Sequence, residues 1–440
     1  MGNVGVVLAP RKTKMVSKLA FVLLSLLVRI QMDIIYATYL VTKWGYQSFS
    51  IDINVYKIAF SYVLLVLFLG MLRHYKPDRI SHFFVVVLFY TMYMPVGTLY
   101  GLMNRDTSFF AIVNVIFFIL VVFTIFVNDR FNWQIMPDRK ITSKLHIVLI
   151  LLSIATFLGM TIQNINHLDI RSVLNLTKVY AIRRLVDYRW GMNYLFSLQT
   201  KVINPYMIAL HHLNGNKVMK RLYLLFQLWL YVLTGHKMVL FTLIMITVIF
   251  RFKHKLDQLT QFFVSGIAFS MTISAIELVF FQKSFLIDLV IRRVFYIPAL
   301  LNFHYFDFFS NNGFQLWKYS LFGRIMGARV DFDVLPSFVI GEQYFNNIET
   351  NAVTGFLGSE YMNGGFLGLL MTAGILIILL KVLDRFAHKL GVVLTLVTFL
   401  TPLYTIWNTA FLTALLTGGI LLSVMVLFFT ESSGEKMPHS

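Results

Sequence analysis

The sequence predicts an all-α polytopic integral membrane protein, and three observations lead to that fold class. Of the 440 residues, 58% are hydrophobic and only 13% are charged, whereas soluble domains carry about 25% charged residues. Apolar runs of about 20 residues, the length that crosses a bilayer, recur along the chain. Basic residues concentrate in alternate connections between these runs. The composition therefore excludes a soluble enzyme, a disordered chain and a disulfide-stabilised scaffold.

About twelve apolar runs are candidate transmembrane helices, which makes residues 1–440 a single membrane domain. The runs cover residues 17–40, 55–72, 81–100, 108–128, 145–163, 195–212, 221–234, 237–250, 259–281, 364–380, 390–407 and 410–430. The seventh and eighth runs are short and only a Thr-Gly-His-Lys sequence separates them. A single fused helix over 221–250 is the alternative, and it would invert every later connection.

The basic residues fix the expected orientation. The N-terminal run is too long for a signal peptide and no small-residue cleavage site follows it, so we interpret it as a cytoplasmic anchor. The cytoplasmic segments then hold 21 basic residues, and the short outside loops hold only Lys43 and Arg105. Positive charge is retained in short cytoplasmic loops, so we expect both termini in the cytoplasm. Topology thus explains most of the net charge of +18, and no nucleic-acid partner is needed.

Two outside loops are long, at 164–194 and 282–363. Long loops are usually functional. The middle of the first loop predicts a basic amphipathic helix over 168–190, which either lies on the membrane surface or binds a ligand. The second loop is rich in aromatic side chains, carboxylates and amides. Such a composition suits a sugar-binding cleft and equally suits a segment packed at the bilayer interface.

Arginine is enriched over lysine in these two loops. Together they carry eight Arg and three Lys, whereas the cytoplasmic segments carry eight Arg and thirteen Lys. Topology requires only positive charge, but bidentate phosphate binding requires the planar guanidinium group. The bias therefore indicates an anionic ligand on the outside.

Several other features have both a structural and a functional interpretation. Arg29 and Asp33 lie one helical turn apart in the first run. They either form a buried ion pair or belong to a substrate path. Glu277 is a buried partner of an arginine or an interfacial residue. Lys57 and Lys201 lie near the ends of runs, where lysine side chains reach towards water, and they receive no role.

Three further motifs lie in or beside the outside loops. The carboxylates of Asp331 and Asp333 form a DxD pattern, but a hard cation needs more converging oxygens, so we predict no metal site. His236 and Lys237 occupy a tight outside turn, as interfacial anchors or as part of the site. The glycine-rich stretch 351–368 allows close backbone approach, either between helices or to a substrate.

Six short motifs follow one another along residues 145–370. They are Tyr180-Ala181-Ile182-Arg183-Arg184, Asn204-Pro205, Thr234-Gly235-His236-Lys237, Arg293-Val294-Phe295-Tyr296-Ile297-Pro298, Tyr305-Phe306-Asp307-Phe308-Phe309 and the stretch Asn351 to Gly368. Their order and placement resemble the Wzy-type O-antigen and capsule repeat-unit polymerases of bacteria.

The resemblance implies an inner-membrane glycosyltransferase with a GT-C-like architecture, which uses no metal and no cofactor. Such an enzyme joins undecaprenyl-pyrophosphate-linked oligosaccharide units on the periplasmic side, with undecaprenyl pyrophosphate as the leaving group. Both donor and acceptor are lipid-linked, membrane lipid surrounds the enzyme, and a chain-length-regulating co-polymerase, a flippase and a ligase are pathway partners.

The resemblance and the chemistry together give candidate site residues. Asp307 or His304 is the expected base, because a base assists the acceptor hydroxyl, and Arg293 is the third catalytic candidate. The pyrophosphate-binding candidates are Arg183, Arg184, Lys237 and Arg292, and either member of each arginine doublet could face the ligand. The substrate-binding candidates are Tyr180, Tyr305, Asn351, Tyr361 and Asn363.

Two other functions compete with this one. An O-antigen ligase would share the architecture and the donor, and the sequence offers no feature that separates it from a polymerase. A lipid-linked oligosaccharide flippase or other transporter would place its charges within the spans, whereas eleven basic residues of this chain lie in the long outside loops.

Overall fold

The computed structural model describes residues 13–74, 79–127, 139–168, 183, 185–252 and 255–431. All regular secondary structure in these residues is helical, which confirms the predicted all-α class. In chain order the helices are α1 (Leu19–Gln47), α2 (Val55–Leu72), α3 (Ile80–Leu102), α4 (Thr107–Phe126), α5 (Thr142–Asn164), α6 (192–213), α7 (Lys217–Thr234), α8 (Lys237–Phe252), α9 (Leu256–Phe281), α10 (287–312), α11 (Leu321–Ile325), α12 (Pro336–Phe345), α13 (Phe356–Leu390), α14 (Val392–Thr405) and α15 (Phe411–Phe428).

Eight of the helices in the described residues are long and apolar enough to cross a membrane, namely α1, α2, α3, α4, α5, α9, α13 and α15. The chain is therefore a polytopic membrane protein. The other four predicted runs also form helices, but α6, α7, α8 and α14 are shorter or more polar.

The seventh and eighth runs form two helices and not one. The helix α7 ends at Thr234 because Gly235 adopts a left-handed backbone with φ of 63°, and its N–H closes the last turn on the carbonyl of Tyr231. Glycine adopts this conformation without steric cost. The helix α8 then begins at Lys237 and packs against α7.

The described parts of the two long connections lie at the same end of the bundle, which we term the loop face. The Arg105 guanidinium, between α3 and α4, pairs with the Asp307 carboxylate on α10. The backbone N–H of Phe356, at the start of α13, donates to the carbonyl of Ile406, just after α14. The Ser197 hydroxyl, near the start of α6, donates to a backbone carbonyl of α15. Candidate residues from distant parts of the sequence thus share one face.

The connection 282–363 is largely helical. Its main element, α10, starts where the Ser284 hydroxyl accepts from the backbone N–H of Ile287 at 3.1 Å and donates to the Glu277 carboxylate at 2.6 Å. Glu277 therefore holds the cap of this helix. Residues 298–306 of α10 are buried on every side, against α13 and α3 among others. This segment is thus part of the core and not a surface loop.

Prolines follow three π-helical segments inside longer helices. Pro95 follows the π-helical Phe89–Tyr93, Pro205 follows Gln199–Ile203, and Pro298 follows Ile287–Tyr296. A proline inside a helix lacks the N–H and its ring collides with the carbonyl four residues earlier. The wider π-helical turn accommodates that ring. Segments of this kind are often found at functional sites, and two of these three carry candidate cations.

A buried ion pair joins α1 to its neighbours. The Arg29 guanidinium donates to the Asp33 carboxylate at 2.9 Å and to the Ser61 hydroxyl at 3.0 Å, and the Tyr62 hydroxyl donates to the same carboxylate at 2.7 Å. A Cβ on Gly97 would lie 2.7 Å from the guanidinium. The third guanidinium nitrogen, Nη1, is buried and has no hydrogen-bond partner among the described residues. The ion pair and the contacts with α2 favour the structural interpretation of Arg29 and Asp33.

The glycine-rich stretch brings backbones together inside the bundle. A Cβ on Gly355 would lie 2.5 Å from the Trp407 backbone, and a Cβ on Gly358 would lie 3.0 Å from the side-chain oxygen of Asn302. Gly365, with φ of 58°, breaks the helical path of α13. The contacts support the helix-packing interpretation of this stretch.

Candidate functional site

The loop face carries two groups of polar side chains, which we describe in turn. The first lines a cavity between α6, α8 and α14, which we term the Lys201 cavity. The second, termed the Asp307 cluster, consists of Arg105, His304, Asp307 and Tyr344. Both groups combine charged or titratable atoms with aromatic side chains.

The Lys201 cavity has a volume of about 290 Å³. Its lining consists of Tyr188, Asn193, Phe196, Ser197, Thr200, Lys201, His236, Met238, Val239, Thr242 and Thr401. None of these is Asp or Glu, and no hydrogen bond or ion pair joins the Lys201 ammonium to another described residue. A partly buried ammonium group ordinarily has an anionic or hydrogen-bonding partner. The cavity is therefore suited to an anionic ligand.

A buried hydrogen-bond network supports the π-helical segment that carries Lys201. The Gln227 side chain donates to the carbonyl of Thr200 at 3.1 Å and accepts from the Asn204 amide at 2.7 Å. The Gln199 amide donates to the side-chain oxygen of Asn204 at 2.6 Å and to the Ser153 hydroxyl at 2.9 Å. These side chains satisfy backbone groups that a π-helical turn and a proline leave open. The network thus fixes the backbone on either side of Lys201.

His236 closes one side of the cavity. Its ring lies 5.3 Å from the Phe196 ring and 6.4 Å from the Tyr188 ring. Burial lowers the pKa of His236 to about 4, and the nearby Arg183 guanidinium lowers it further in the same direction. His236 is therefore neutral at pH 7 and offers a hydrogen bond rather than a charge. Arg183 itself is exposed, so it can add positive charge at the cavity mouth.

The Asp307 cluster places a carboxylate beside an arginine. The Arg105 guanidinium lies 3.4 Å from the Asp307 carboxylate and 6.0 Å from the centre of the Phe303 ring. Burial raises the pKa of Asp307, and Arg105 opposes that shift. The Asp307 side chain keeps 32% of its surface exposed. A carboxylate with a raised pKa and open access has the properties of a general base.

His304, the alternative base, is enclosed. Its ring stacks on Tyr344 with centroids 4.0 Å apart, and only 2% of the residue is exposed. Neither ring nitrogen has a hydrogen-bond partner among the described residues. Burial lowers the pKa of His304 to about 3, with a smaller contribution from Arg105. Of the two predicted bases, Asp307 is therefore the one that a substrate can reach.

The two arginines of the 292–293 doublet have different surroundings. Arg292 is buried, donates to the Gln47 side chain at 2.5 Å and packs 3.6 Å from the centre of the Trp44 ring. Arg293 is exposed. Arg292 thus anchors α10 to the end of α1, and Arg293 is the member of the doublet whose side chain reaches the surface.

Several predicted substrate-binding residues have internal partners. The Tyr305 hydroxyl donates to the carbonyl of Ala352 at 3.1 Å, and the Tyr361 hydroxyl lies 2.9 Å from the Ser310 hydroxyl. The side chain of Asn363 is buried and accepts from a backbone N–H. The Tyr361–Ser310 contact joins α13 to α10, and the contacts of Tyr305 and Asn363 join these two helices to the connection between them.

Other predicted residues are placed as follows. Asn351 is exposed, and Lys237 is half-buried beside the cavity residue His236. Tyr180 and Arg184 lie outside the described residues. In the DxD pattern, Asp331 pairs with Lys318 at 2.8 Å.

Comparisons with protein-family models, with curated proteins and with solved structures find no match to this chain.

Sequence reasoning missed two residues that the structure brings into these sites. Lys201 was interpreted as a lysine at the end of a run, and Arg105 entered only as a charge in a short loop. A signal for Lys201 was available, since Gln199, Thr200 and Asn204 make this part of an apolar run unusually polar. No comparable local signal marks Arg105, because its partner Asp307 lies about 200 residues away in sequence.

Proposed function

We propose that this protein is a glycosyltransferase that polymerises undecaprenyl-pyrophosphate-linked oligosaccharide units, as the resemblance to Wzy-type polymerases implies. The observation that carries the proposal is the Lys201 ammonium, which has no hydrogen-bond or ion-pair partner among the described residues and lies in a cavity whose described lining contains no carboxylate. Phosphate groups are the anionic part of the proposed substrate. The cavity lies in a bundle embedded in the membrane, where a lipid-linked substrate is found.

In this proposal the cationic side chains bind the pyrophosphate. Negative charge develops on the pyrophosphate as the glycosidic bond to it breaks, so cations already fixed in place stabilise the transition state. Lys201 lies in the cavity, while Arg183 and Lys237 lie beside it. Exposed Arg293, on α10, adds a group capable of bidentate contacts with phosphate oxygens. No metal takes part.

The Asp307 carboxylate acts as the base. It accepts the proton of an acceptor hydroxyl while that oxygen forms a bond to the anomeric carbon of the donor sugar. The bond from the anomeric carbon to the phosphate oxygen breaks at the same time, and its electrons leave with undecaprenyl pyrophosphate. The sugar passes through an oxocarbenium-like transition state, as in other glycosyl transfers. Arg105 keeps the carboxylate oriented through the ion pair.

The proposal extends to the finer architecture and location. The helices α6, α7, α8 and α14 cross the membrane together with the eight longer ones, which gives twelve crossings and a GT-C-like arrangement. The loop face is periplasmic, both termini are cytoplasmic and the membrane is the bacterial inner membrane. A chain-length-regulating co-polymerase is the expected protein partner. The distribution of basic residues between the two sides supports this orientation.

Complementation of two strains tests the function and separates the polymerase from the ligase. We expect the gene to restore a ladder of long lipopolysaccharide chains in a polymerase-null strain of its own pathway and not in a ligase-null strain. The variant Lys201→Met should lose the ladder, and Lys283→Met, which changes an exposed lysine of the same face, should keep it. Restoration of the ligase-null strain, or a full ladder from Lys201→Met at equal protein level, would contradict the assignment.

A further inference from the structure

A short loop on the loop face ends in exposed apolar side chains. The loop, residues 320–330, contains the five-residue helix α11. Its Ile325 and Met326 side chains are 74% and 83% exposed, and Leu321 and Phe322 are also exposed. An ordered loop with large apolar groups at its tip is unusual on a surface that faces water.

The base of this loop is fixed by side-chain contacts. The Lys318 ammonium donates to the Asp331 carboxylate at 2.8 Å. The Tyr319 hydroxyl donates to the carbonyl of Phe332 at 3.0 Å and accepts from its N–H at 2.7 Å. These contacts join the two ends of the loop, as in a compact Ω-loop. The tip is therefore held away from the bundle core in a defined position.

The tip faces a groove that continues onto the outer surface of α13. The groove has a volume of about 680 Å³, and Phe322 and Met326 of the loop form one wall while Met371 and Ile375 form the other. The indole of Trp317 lies at its inner end and donates to the Glu360 carboxylate at 2.8 Å. A Trp with one apolar side and one bonded polar end is typical of the membrane–water boundary.

The two α13 residues of the groove, Met371 and Ile375, belong to a row of exposed apolar side chains that faces lipid. Leu367, Met371, Ile375 and Ile378 are exposed at intervals of three and four residues, which places them on one face of a helix that is long and apolar enough to cross the membrane. Apolar groups of the loop and of this row line the same groove. The loop tip is thus continuous with a lipid-facing surface.

Basic side chains accompany the apolar tip. Arg324 and Arg329 are both exposed on the loop. An apolar surface flanked by arginines is the combination that binds a membrane surface with anionic lipid headgroups.

We propose that the loop 320–330 inserts its apolar tip into the membrane leaflet on the loop face, and that phospholipid chains of that leaflet fill the groove between the loop and α13. Arg324 and Arg329 then contact the phospholipid headgroups. The inference concerns the bilayer and does not depend on the proposed glycosyltransferase function.

The absence of cysteine in the sequence makes a direct test possible, because single cysteines can be introduced without removing others. The variants Met326→Cys, Ile325→Cys and Met371→Cys carry a nitroxide spin label on the full chain in nanodiscs of phosphatidylethanolamine and phosphatidylglycerol. Ile378→Cys is the control in lipid. Ile348→Cys, an exposed apolar position between Asn347 and Glu349, is the control in water.

We expect oxygen to relax the labels at positions 326, 325 and 371 more strongly than a water-soluble nickel complex does, and the lipid control at 378 should behave in the same way. At the water control, position 348, the nickel complex should relax the label more strongly than oxygen does. If the labels at 326 and 325 behave like the label at 348, the loop lies in water or is covered by another protein, and the proposal is wrong. If the nickel complex relaxes only the label at 371 more strongly than oxygen does, the groove is filled with water. That result would overturn the proposal that phospholipid chains fill the groove.

Discussion

The two arginines at positions 292 and 293 show how strongly the surroundings of one residue decide its role. Arg292 is buried between Gln47 and Trp44, and Arg293 is exposed. Both carry the same charge, so the sequence leaves either one open as a ligand for pyrophosphate. The segment Ile287–Tyr296 is π-helical, and the direction of each side chain therefore differs from that expected of an α-helix.

This difference predicts opposite effects for the two alanine variants. Arg292→Ala removes a charged hydrogen bond and the contact with the Trp44 ring, so we expect it to destabilise the protein by about 2–3 kcal/mol. Arg293→Ala should lower the melting temperature less than Arg292→Ala does, because the Arg293 side chain is exposed, and it should lower polymer formation at least tenfold. Thermal unfolding of purified protein in detergent and gels of extracted lipopolysaccharide measure the two effects. A full ladder from a stable Arg293→Ala variant would remove Arg293 from the site.

His304 predicts a pH-dependent stability. Burial gives His304 a pKa of about 3 in the folded protein, against about 6.5 for an unfolded chain. Between these two pKa values the unfolded chain binds a proton at His304 that the folded protein excludes. The contribution of neutral His304 to the free energy of unfolding is therefore fully present above pH 6.5 and is lost progressively as the pH falls. From pH 6.5 to pH 5 the loss should be about 2 kcal/mol, at 1.36 kcal/mol per pH unit.

The variant His304→Phe keeps a ring against Tyr344 and removes the titrating group. Its melting temperature should therefore fall less than that of the original protein between pH 7 and pH 5. His236, with a pKa of about 4, makes the stability depend on pH to the same extent in both proteins. The difference between the two proteins therefore reports His304 alone. Equal changes in the two proteins would show that His304 is accessible to protons in the folded state.

Among the elements, helices in apolar runs were predictable and α10 was not. The runs from 17–40 to 410–430 all contain helices because apolar composition and length decide them. The helix α10 combines apolar and aromatic residues with Asn302, His304 and Asp307, a composition that fits a segment at the bilayer interface as well as a buried helix. Its burial follows from packing against α13 through the close approach at Gly358, a contact between distant segments that no local pattern reveals.

The π-helical segment of α6 yields a prediction about the network below Lys201. Gln227 is fully buried and its amide bonds both Thr200 and Asn204. The variant Gln227→Leu leaves these groups unpaired in the bundle, so we expect a loss of about 2 kcal/mol and reduced polymer formation. Gln261→Leu, at an exposed position of α9, is the matched control. An unchanged melting temperature for Gln227→Leu would show that the segment does not need this network.

At the scale of the whole molecule, the distribution of charge predicts which residues share a face. The structure brings the described parts of both long connections to one end of the bundle. The sequence predicts only some of the residues that contact one another there. Asp307 and the two histidines lie on that face as expected, but Arg105 and Lys201 join them through contacts between segments far apart in sequence. Charge patterning reports the side of the membrane, whereas pairwise contacts depend on how the helices pack.

We propose that this chain alone, with no other protein, transfers a lipid-linked oligosaccharide from pyrophosphate to an acceptor. The most direct measurement incubates purified protein in nanodiscs with undecaprenyl-pyrophosphate-linked units from a strain that lacks the gene, without added metal, and follows products by gel and mass spectrometry. We expect chains of two or more units, with one undecaprenyl pyrophosphate released for each unit joined. We also expect at least a hundredfold lower rate for Lys201→Met and an unchanged rate for Lys283→Met. Absence of chains from the folded protein, or equal rates for the two lysine variants, would contradict the proposal.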